Sequence, residues 1–490
     1  MVVEHLARQD PEDPASIVWW DDYAAHDAVP ASGYLLETGE PLAPITSFTG
    51  DTSEYTTKEF FDREISGVWT RTWQVACREN DIAAVGDYLE YEIVGLSVLI
   101  VRDTPTSIRA FRNACRHRGT AVAAGHGNKS CFTCPFHGWT YNLDGSLRSI
   151  PAAWDFSHVT RDSSGLAPVR AETFDGWVFV NLDDGAAPLA DFLGETVCRH
   201  LRARPSERMW KACHLGAVVH SNWKVMLEAF LEVYHTAQTH PTVAAWGADL
   251  QARYDSFGPH SRMIAPTMIS GLLGGGQYSQ QEIVEEAVAF SRSFHLSGDG
   301  TGTGSDFTIE VPQDVSAREF MAGTVRLQML EHGVELGDVG DAELIDAVLY
   351  HIFPNLMPFR NPAGHYVYRC RPNGTDPETC IFEVMHLVPL GEHERPPDVP
   401  LRMLADRESF AGCPELGEVG FLLQQDVDNC AAVQKGLRVA REIVLAERQE
   451  ANIVNFHQAL AAAIAASPEA GTAARHDGRA EGRARNADTI

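Results

Sequence analysis

CRHRGTAVAAGHGNKSCFTCPFHGW, residues 115–139, sets a Cys-x-His pair (Cys115, His117) ahead of a Cys-x-x-His pair (Cys134, His137), with 16 residues between His117 and Cys134. Each pair follows a β-prone run, so each is expected at the tip of a loop, and two such loops can close over an inorganic centre. Zinc fingers group their cysteines together and their histidines together. Here each loop offers one thiolate and one imidazole, which suits a [2Fe–2S] centre with the cysteines on one iron and the histidines on the other. Neutral imidazole in place of charged thiolate raises the potential of such a cluster into a range for passing electrons onward. Structural zinc is the competing reading. Cys131 and Cys134 form a CxxC, half of a zinc ribbon, but no second CxxC exists in the chain. Cys131 is therefore read as a bystander and His126 as a solvent-facing loop residue.

Around these loops, short β-rich runs (Tyr88–Ile93, Val98–Arg102) alternate with turn signals such as Gly86-Asp87 and Asp144-Gly145, the pattern of a small antiparallel β-domain. Helical patterns follow over Asn222–Thr236 and from about Gly420 to Ala466. Between them stands a hairpin: His365–Arg371, the turn PNGTDP, and Thr379–Leu387. The expected class is α+β: residues 1–55 an arm, 56–186 the small β-domain, 187–466 a larger domain with an antiparallel sheet flanked by helices, and 467–490 a disordered tail. The Gly-rich stretches 271–276 and 298–305 lack the spaced-glycine pattern of a dinucleotide fold and are read as flexible loops.

At 490 residues the chain exceeds the usual size of one core. With 39 basic and 67 acidic residues it carries a formal charge of −28, which argues against nucleic acid or anionic lipid as partners. Neither a basic, apolar leader nor a long apolar span is seen, and ten scattered cysteines do not make a disulfide framework. The expectation is a cytoplasmic protein with reduced thiols, in which a Cys–His cluster reads as metal ligation.

A second candidate centre lies in NWKVMLEAFLEVYHTAQTHP, residues 222–241. On one helix, Glu228, Glu232 and His235 would share a face, an expensive group to bury unless something uses it. His240 is five residues past His235, so a helix bulge or break near Thr236–Thr239 is needed to bring both imidazoles to one ion. Two histidines with a carboxylate and open positions form the facial triad of non-haem Fe(II) oxygenases.

The run from Trp69 through WQVACREN, Gly86-Asp87-Tyr88, Arg102-Asp103, AFRNACRHRG and CPFHGWTYNLDGSL resembles the Rieske domain of aromatic-ring-hydroxylating oxygenase α-subunits. The match extends over about a hundred residues and includes both ligand motifs. The segment with Glu232, His235 and His240 is similar to the iron motif of the same family, which more often has Asp where Glu232 stands. The resemblance implies a third iron ligand in QQDVDNCAAVQKGL: Asp426, eight residues before Gln434, with Asp428 as local competitor. It further implies a mononuclear Fe(II) beside the [2Fe–2S] cluster. Glu232 would bridge His235 to His137 of the neighbouring subunit in a homotrimer, to which a small β-subunit can be added. Electrons would come from a separate NAD(P)H-dependent reductase, with or without a ferredoxin, because no flavin or nicotinamide motif is present. The expected activity is O2-dependent mono- or cis-dihydroxylation of a hydrophobic, aromatic or polycyclic substrate. A quaternary-amine or O-/N-demethylating monooxygenase is the alternative on the same scaffold, and a non-catalytic Rieske electron carrier the alternative of another class. The other histidines of the second region, His457 among them, show no ligand spacing.

Overall fold

The computed structural model describes residues 9–40, 49–161, 163–274, 276, 278–291, 309–390 and 396–467. The Gly-rich run 298–305 and the tail expected beyond Ser467 lie outside these residues. In the first domain, β-branched and aromatic residues pair Asp87–Ile93 with Leu96–Thr104, Tyr88 opposite Val101 and Tyr91 opposite Val98. The sheet has seven strands in the order Gln74–Arg78, Trp177–Asn181, Pro168–Phe174, Ser107–Arg112, Leu96–Thr104, Asp87–Ile93 and His126–Asn128. A three-stranded sheet (Phe132–Thr133, Thr140–Tyr141, Leu147–Ser149) stands beside it. The Asp144-Gly145 turn needs its glycine: at φ +79° a Cβ would lie 2.3 Å from the Phe111 ring.

The second domain is an eight-stranded sheet built on the hairpin His365–Asn373 and Asp376–Pro389, with Arg371 opposite Ile381. Period-two alternation sends Tyr368, Cys370, Phe382 and Val384 into one core with helices Trp223–Glu228 and Glu418–Leu437. Val367, Met385 and Leu387 go into another, shared with Trp20, Leu35 and helix Glu195–Ala203. The expected α+β class is thus borne out.

Part of the expected arm, residues 9–40, is built into the second domain: Trp20 is fully buried and donates its indole N–H to Asp346 at 2.9 Å. Buried Arg369 joins the domains, donating to the carbonyls of Val75 (2.8 Å) and Ala76 (3.0 Å) and to Glu383 (2.6 Å).

Three sequence expectations need correction. The long helix toward Ala466 is two helices, Glu418–Leu437 and Ala451–Ala465, because the intervening Glu442–Val444 is extended and pairs with Thr49–Asp51. The helix over Asn222–Thr236 stops at Glu228. The glycine stretch from 271 is tethered, since buried Asp249 accepts the backbone N–H groups of Leu272, Leu273 and Gly274 at 2.8, 2.7 and 3.3 Å. Among the described residues no helix is long and apolar enough to cross a membrane.

Two fully buried histidines of the second domain, His260 and His351, are held neutral. His260 donates from Nε2 to the Phe192 carbonyl (2.9 Å) and accepts the Phe353 N–H on Nδ1 (3.1 Å), so neither nitrogen has room for a further proton. Burial lowers it to about 4. Burial lowers His351 to about 3. Both folded values lie below the unfolded value of about 6.5. The unfolded chain therefore binds more protons, and the stability they provide is lost as pH falls from about 6.5 toward 3, by several kcal/mol in all. Thermal melts should fall steeply below about pH 6. His260→Gln should reduce that acid slope, and an unchanged slope would show that other groups set it.

Candidate metal centres

The two cysteine loops share one backbone circuit. Cys115 N–H donates to the Thr120 carbonyl (2.8 Å) and its carbonyl accepts the Gly119 N–H (2.8 Å). Cys134 N–H donates to the Trp139 carbonyl (2.8 Å) and its carbonyl accepts the Gly138 N–H (3.0 Å). Gly119 and Gly138 hold φ of +82° and +76°, which closes each loop four residues after its cysteine. Both cysteines are buried, and the rings of His117 and His137 face each other with centroids 4.5 Å apart. His117 stacks on Trp139 at 5.2 Å and 5°, while its Nδ1 is buried without a hydrogen-bond partner. Burial raises the Cys134 thiol, but the N–H groups of Phe136 and His137 and the side chains of Cys115 and Thr120 outweigh it, and the net shift is downward. Tyr141 Oη lies 3.2 Å from Cys115 Sγ. Two buried sulfurs served by N–H and O–H donors, an unpartnered imidazole nitrogen and a second imidazole at the surface fit a [2Fe–2S] centre held by two cysteines and two histidines. Cys131 is partly buried, and His126 is exposed, as expected of a solvent-facing residue.

The second centre is built by a helix that ends early. Asn222 caps Trp223–Glu228 by accepting the Lys224 N–H at 2.9 Å, and turns at Phe230 and Leu231 carry the chain out of the helix. A four-residue helix, Thr236–Thr239, then sets His235 at its N-cap and His240 at its C-cap. The anticipated break therefore precedes His235 and does not follow it. On one straight helix the two imidazoles would diverge by about 140°. Instead their rings lie 5.2 Å apart. Helix Glu418–Leu437 brings Asp426, whose Oδ1 is 3.0 Å from His240 Nε2 and 3.5 Å from His235 Nε2. All three ligand atoms lie within 4.8 Å of one another.

The ring nitrogens away from this point are engaged. His235 Nδ1 is 2.5 Å from Glu232 Oε1, and His240 Nδ1 is 2.8 Å from Gln425 Oε1. Donation from each Nδ1–H leaves both Nε2 lone pairs directed at the Asp426 carboxylate, a one-carboxylate, two-imidazole set that fits a divalent iron. For His235, burial lowers the imidazole, but Asp426 and Glu232 overcome it and raise it to about 10. The site thus attracts a cation. Asp428 is exposed, accepts from Gln424 at 2.9 Å, and stands apart from the triad. Glu228, expected on the same face, instead meets Tyr55 (3.0 Å) and His457 (2.9 Å). Gln425, Trp139 and Tyr141 were not singled out in the sequence; only their adjacency to ligand motifs could have suggested them.

Residues 202–466 match the ring hydroxylating alpha subunit catalytic domain, and residues 72–160 the Rieske [2Fe-2S] domain. The carnitine monooxygenase oxygenase subunit of Escherichia coli (strain K12) is 33% identical over 189 residues, 38% of this chain and 50% of that one. The chloroplastic choline monooxygenase of Beta vulgaris is 29% identical over 209 residues, 42% and 47% of the two chains. The large oxygenase component of the 2,4-dinitrotoluene dioxygenase system of Burkholderia sp. (strain RASC) is 34% identical over 203 residues, 39% and 44%. The match thus spans about half the length of these curated relatives. Among solved structures, naphthalene 1,2-dioxygenase from Rhodococcus sp. superimposes with a TM-score of 0.59 at 21% identity, covering 86% of this chain and 95% of that one. A quaternary ammonium Rieske monooxygenase in complex with L-carnitine gives 0.58 at 18%, covering 85% and 94%. At such identities the structural likeness speaks for the fold alone. The chain belongs to the ring-hydroxylating α-subunit family of Rieske oxygenases, oxidoreductases that incorporate O2 with a [2Fe–2S] cluster and a mononuclear iron.

Proposed function

We propose that this chain is a terminal oxygenase that hydroxylates a flat, apolar, aromatic or polycyclic substrate. The observation that carries the substrate class is a wall of near-parallel rings. Phe230 lies 4.5 Å from Tyr368 at 32° and 5.3 Å from Phe382 at 25°, and Tyr366 lies 6.5 Å from Tyr368 at 13°. Phe230 stands two residues before Glu232 and five before His235, so the ring cluster adjoins the segment of the candidate iron ligands. Rings stacked this way offer a slab to a planar molecule. A cage for a quaternary ammonium needs ring faces directed at one point from several sides.

In this reading Cys115 and Cys134 hold one cluster iron and His117 and His137 the other, while His235, His240 and Asp426 hold the mononuclear iron. The bound metals supply one-electron transfer and O2 activation. Glu232 fixes the His235 tautomer through the 2.5 Å contact to Nδ1, and Gln425 does the same for His240. Electrons enter from a separate reductase, directly or through a ferredoxin. The assembly is a homotrimer in which Glu232 of one subunit reaches the partly solvent-facing His117–His137 pair of the next; the exposure of His137 supports such docking. The quaternary-amine reading rests on Glu232 and on the carnitine and choline monooxygenases among the relatives.

The test is O2 uptake with a surrogate reductase, followed by 18O2 labelling of products. Bicyclic and tricyclic arenes should couple O2 uptake to labelled hydroxylated product, and Tyr368→Ala should uncouple it. Product from carnitine or choline, with none from any arene, would replace this reading with the alternative.

A further inference from the structure

His457 sits in helix Ala451–Ala465, outside both metal centres, and is 6% exposed. Its Nε2 is 2.9 Å from Glu228 Oε1 and its Nδ1 is 3.5 Å from Glu54 Oε2. Tyr55 bridges the same groups, its hydroxyl 2.9 Å from His457 Nε2 and 3.0 Å from Glu228 Oε1. The Glu64 carboxylate, paired with Lys224, also lies within electrostatic reach of the ring. We infer that Glu54, His457 and Glu228, with Tyr55 bridging the last two, form a proton relay from the surface to the end of helix Trp223–Glu228, which packs on the helix carrying Asp426.

Accessibility runs the right way. The Glu54 side chain is 30% exposed, that of His457 5%, and that of Glu228 14%. Residues 223–227 are buried, whereas Glu228, Ala229 and Phe230 regain partial exposure where Phe230 faces the ring wall. The relay thus leaves solvent at Glu54, passes a closed point at His457 and ends at the partly exposed Glu228 carboxylate. Glu228 also lies near the iron ligands. Cys430, one turn after Asp426, donates its thiol to the Val225 carbonyl at 3.6 Å, so the helix carrying Asp426 packs on the helix that ends at Glu228. Two carboxylates hold the imidazole protonated to about pH 9 against its burial. A cation that serves only to moor helices could be replaced by apolar packing at little cost. Ionisable groups in series do something apolar packing cannot.

The inference rests on the oxygenase reading, because reducing O2 takes up a proton for each electron. In the step proposed, the Nε2–H bond of His457 breaks as an O–H bond forms on Glu228. The neutral ring flips, presenting N–H to Glu228 again and a bare nitrogen to Glu54. Glu54 then passes on a proton taken from water, which restores the imidazolium.

The test uses Glu228→Gln and Glu54→Gln, both of which keep the hydrogen-bonding shape. In metal-free protein, solvent exchange of the His457 ring protons, followed by 15N NMR, should slow about tenfold in Glu54→Gln. In the loaded protein, reoxidation of the reduced cluster by O2 should slow about tenfold or more in Glu228→Gln and lose its solvent deuterium effect, with cluster absorbance and iron content unchanged. Wild-type exchange and reoxidation in both variants, with only a lower melting temperature, would overturn the relay and leave a structural mooring. If Glu228→Gln does not fold, the Glu54 variant at the exposed end decides alone. Neither readout needs an organic substrate, so an error in the substrate class leaves the result interpretable.

Discussion

Asp426→Ala is expected to abolish turnover while the protein keeps its cluster colour. Iron should fall from three per chain (two in the cluster, one mononuclear) to two, with sulfide unchanged. Among the described residues, Asp426 supplies the one anionic oxygen shared by His235 Nε2 and His240 Nε2, at 3.5 and 3.0 Å. Without it a divalent ion would meet two neutral imidazoles, and the loss should exceed the ~10–100-fold that removal of an outer hydrogen-bond partner costs. Asp428→Ala, one exposed position along the same helix, should change neither iron nor rate. The visible spectrum reports the cluster and an iron assay the second site, so the two centres are read independently. Retention of the third iron and of turnover in Asp426→Ala would remove Asp426 from the site. A wild-type protein with only cluster iron would favour an electron carrier, and a colourless protein would favour zinc.

The cluster loops were legible because their chemistry is local. Two cysteines and two histidines in a short stretch leave few alternatives, and Gly119 and Gly138 occupy the same place in two similar circuits. The candidate iron site was legible only in part. Residue spacing gave His235 and His240 together with the need for a break, but periodicity could not locate it. The apolar pattern of 223–236 continues across a point where Glu228 turns to His457 and Tyr55, partners 229 and 173 residues away. The same limit hid His457, whose neighbours carry no ligand spacing. Asp426 was reached through the family resemblance, since nothing local separates it from Asp428; burial on the helix face makes the distinction. The late helix was over-extended because a helical pattern on both sides masked Glu442–Val444, which becomes a strand only because Thr49–Asp51 is there to pair with it.

The largest expected loss of stability comes from Glu64→Ala. Lys224 and Glu64 are fully buried, Nζ to Oε1 at 2.5 Å, and Glu64 Oε2 also accepts the Trp223 indole N–H at 2.9 Å. The ammonium lies 5.2, 5.3 and 5.5 Å from the ring centroids of Tyr55, Phe60 and Trp223, a setting that favours a cation but supplies no second anion. Removing Glu64 strands that charge and the indole donor together, which should cost about 3–5 kcal/mol in denaturant unfolding. Burial raises the Glu64 carboxyl even with Lys224 beside it, which shows desolvation outweighing the pairing. The double variant Glu64→Leu/Lys224→Met should therefore be more stable than Glu64→Ala, short of wild type by the unpaired Trp223 indole donor. Trp223 and Lys224 open the short helix whose end leads to Glu232 and His235, so Glu64→Ala should also weaken iron retention at the second centre while leaving the cluster intact. If the double variant were as unstable as Glu64→Ala, the pair would be contributing net stability; if Glu64→Ala unfolded like wild type, the buried ammonium would have found another partner.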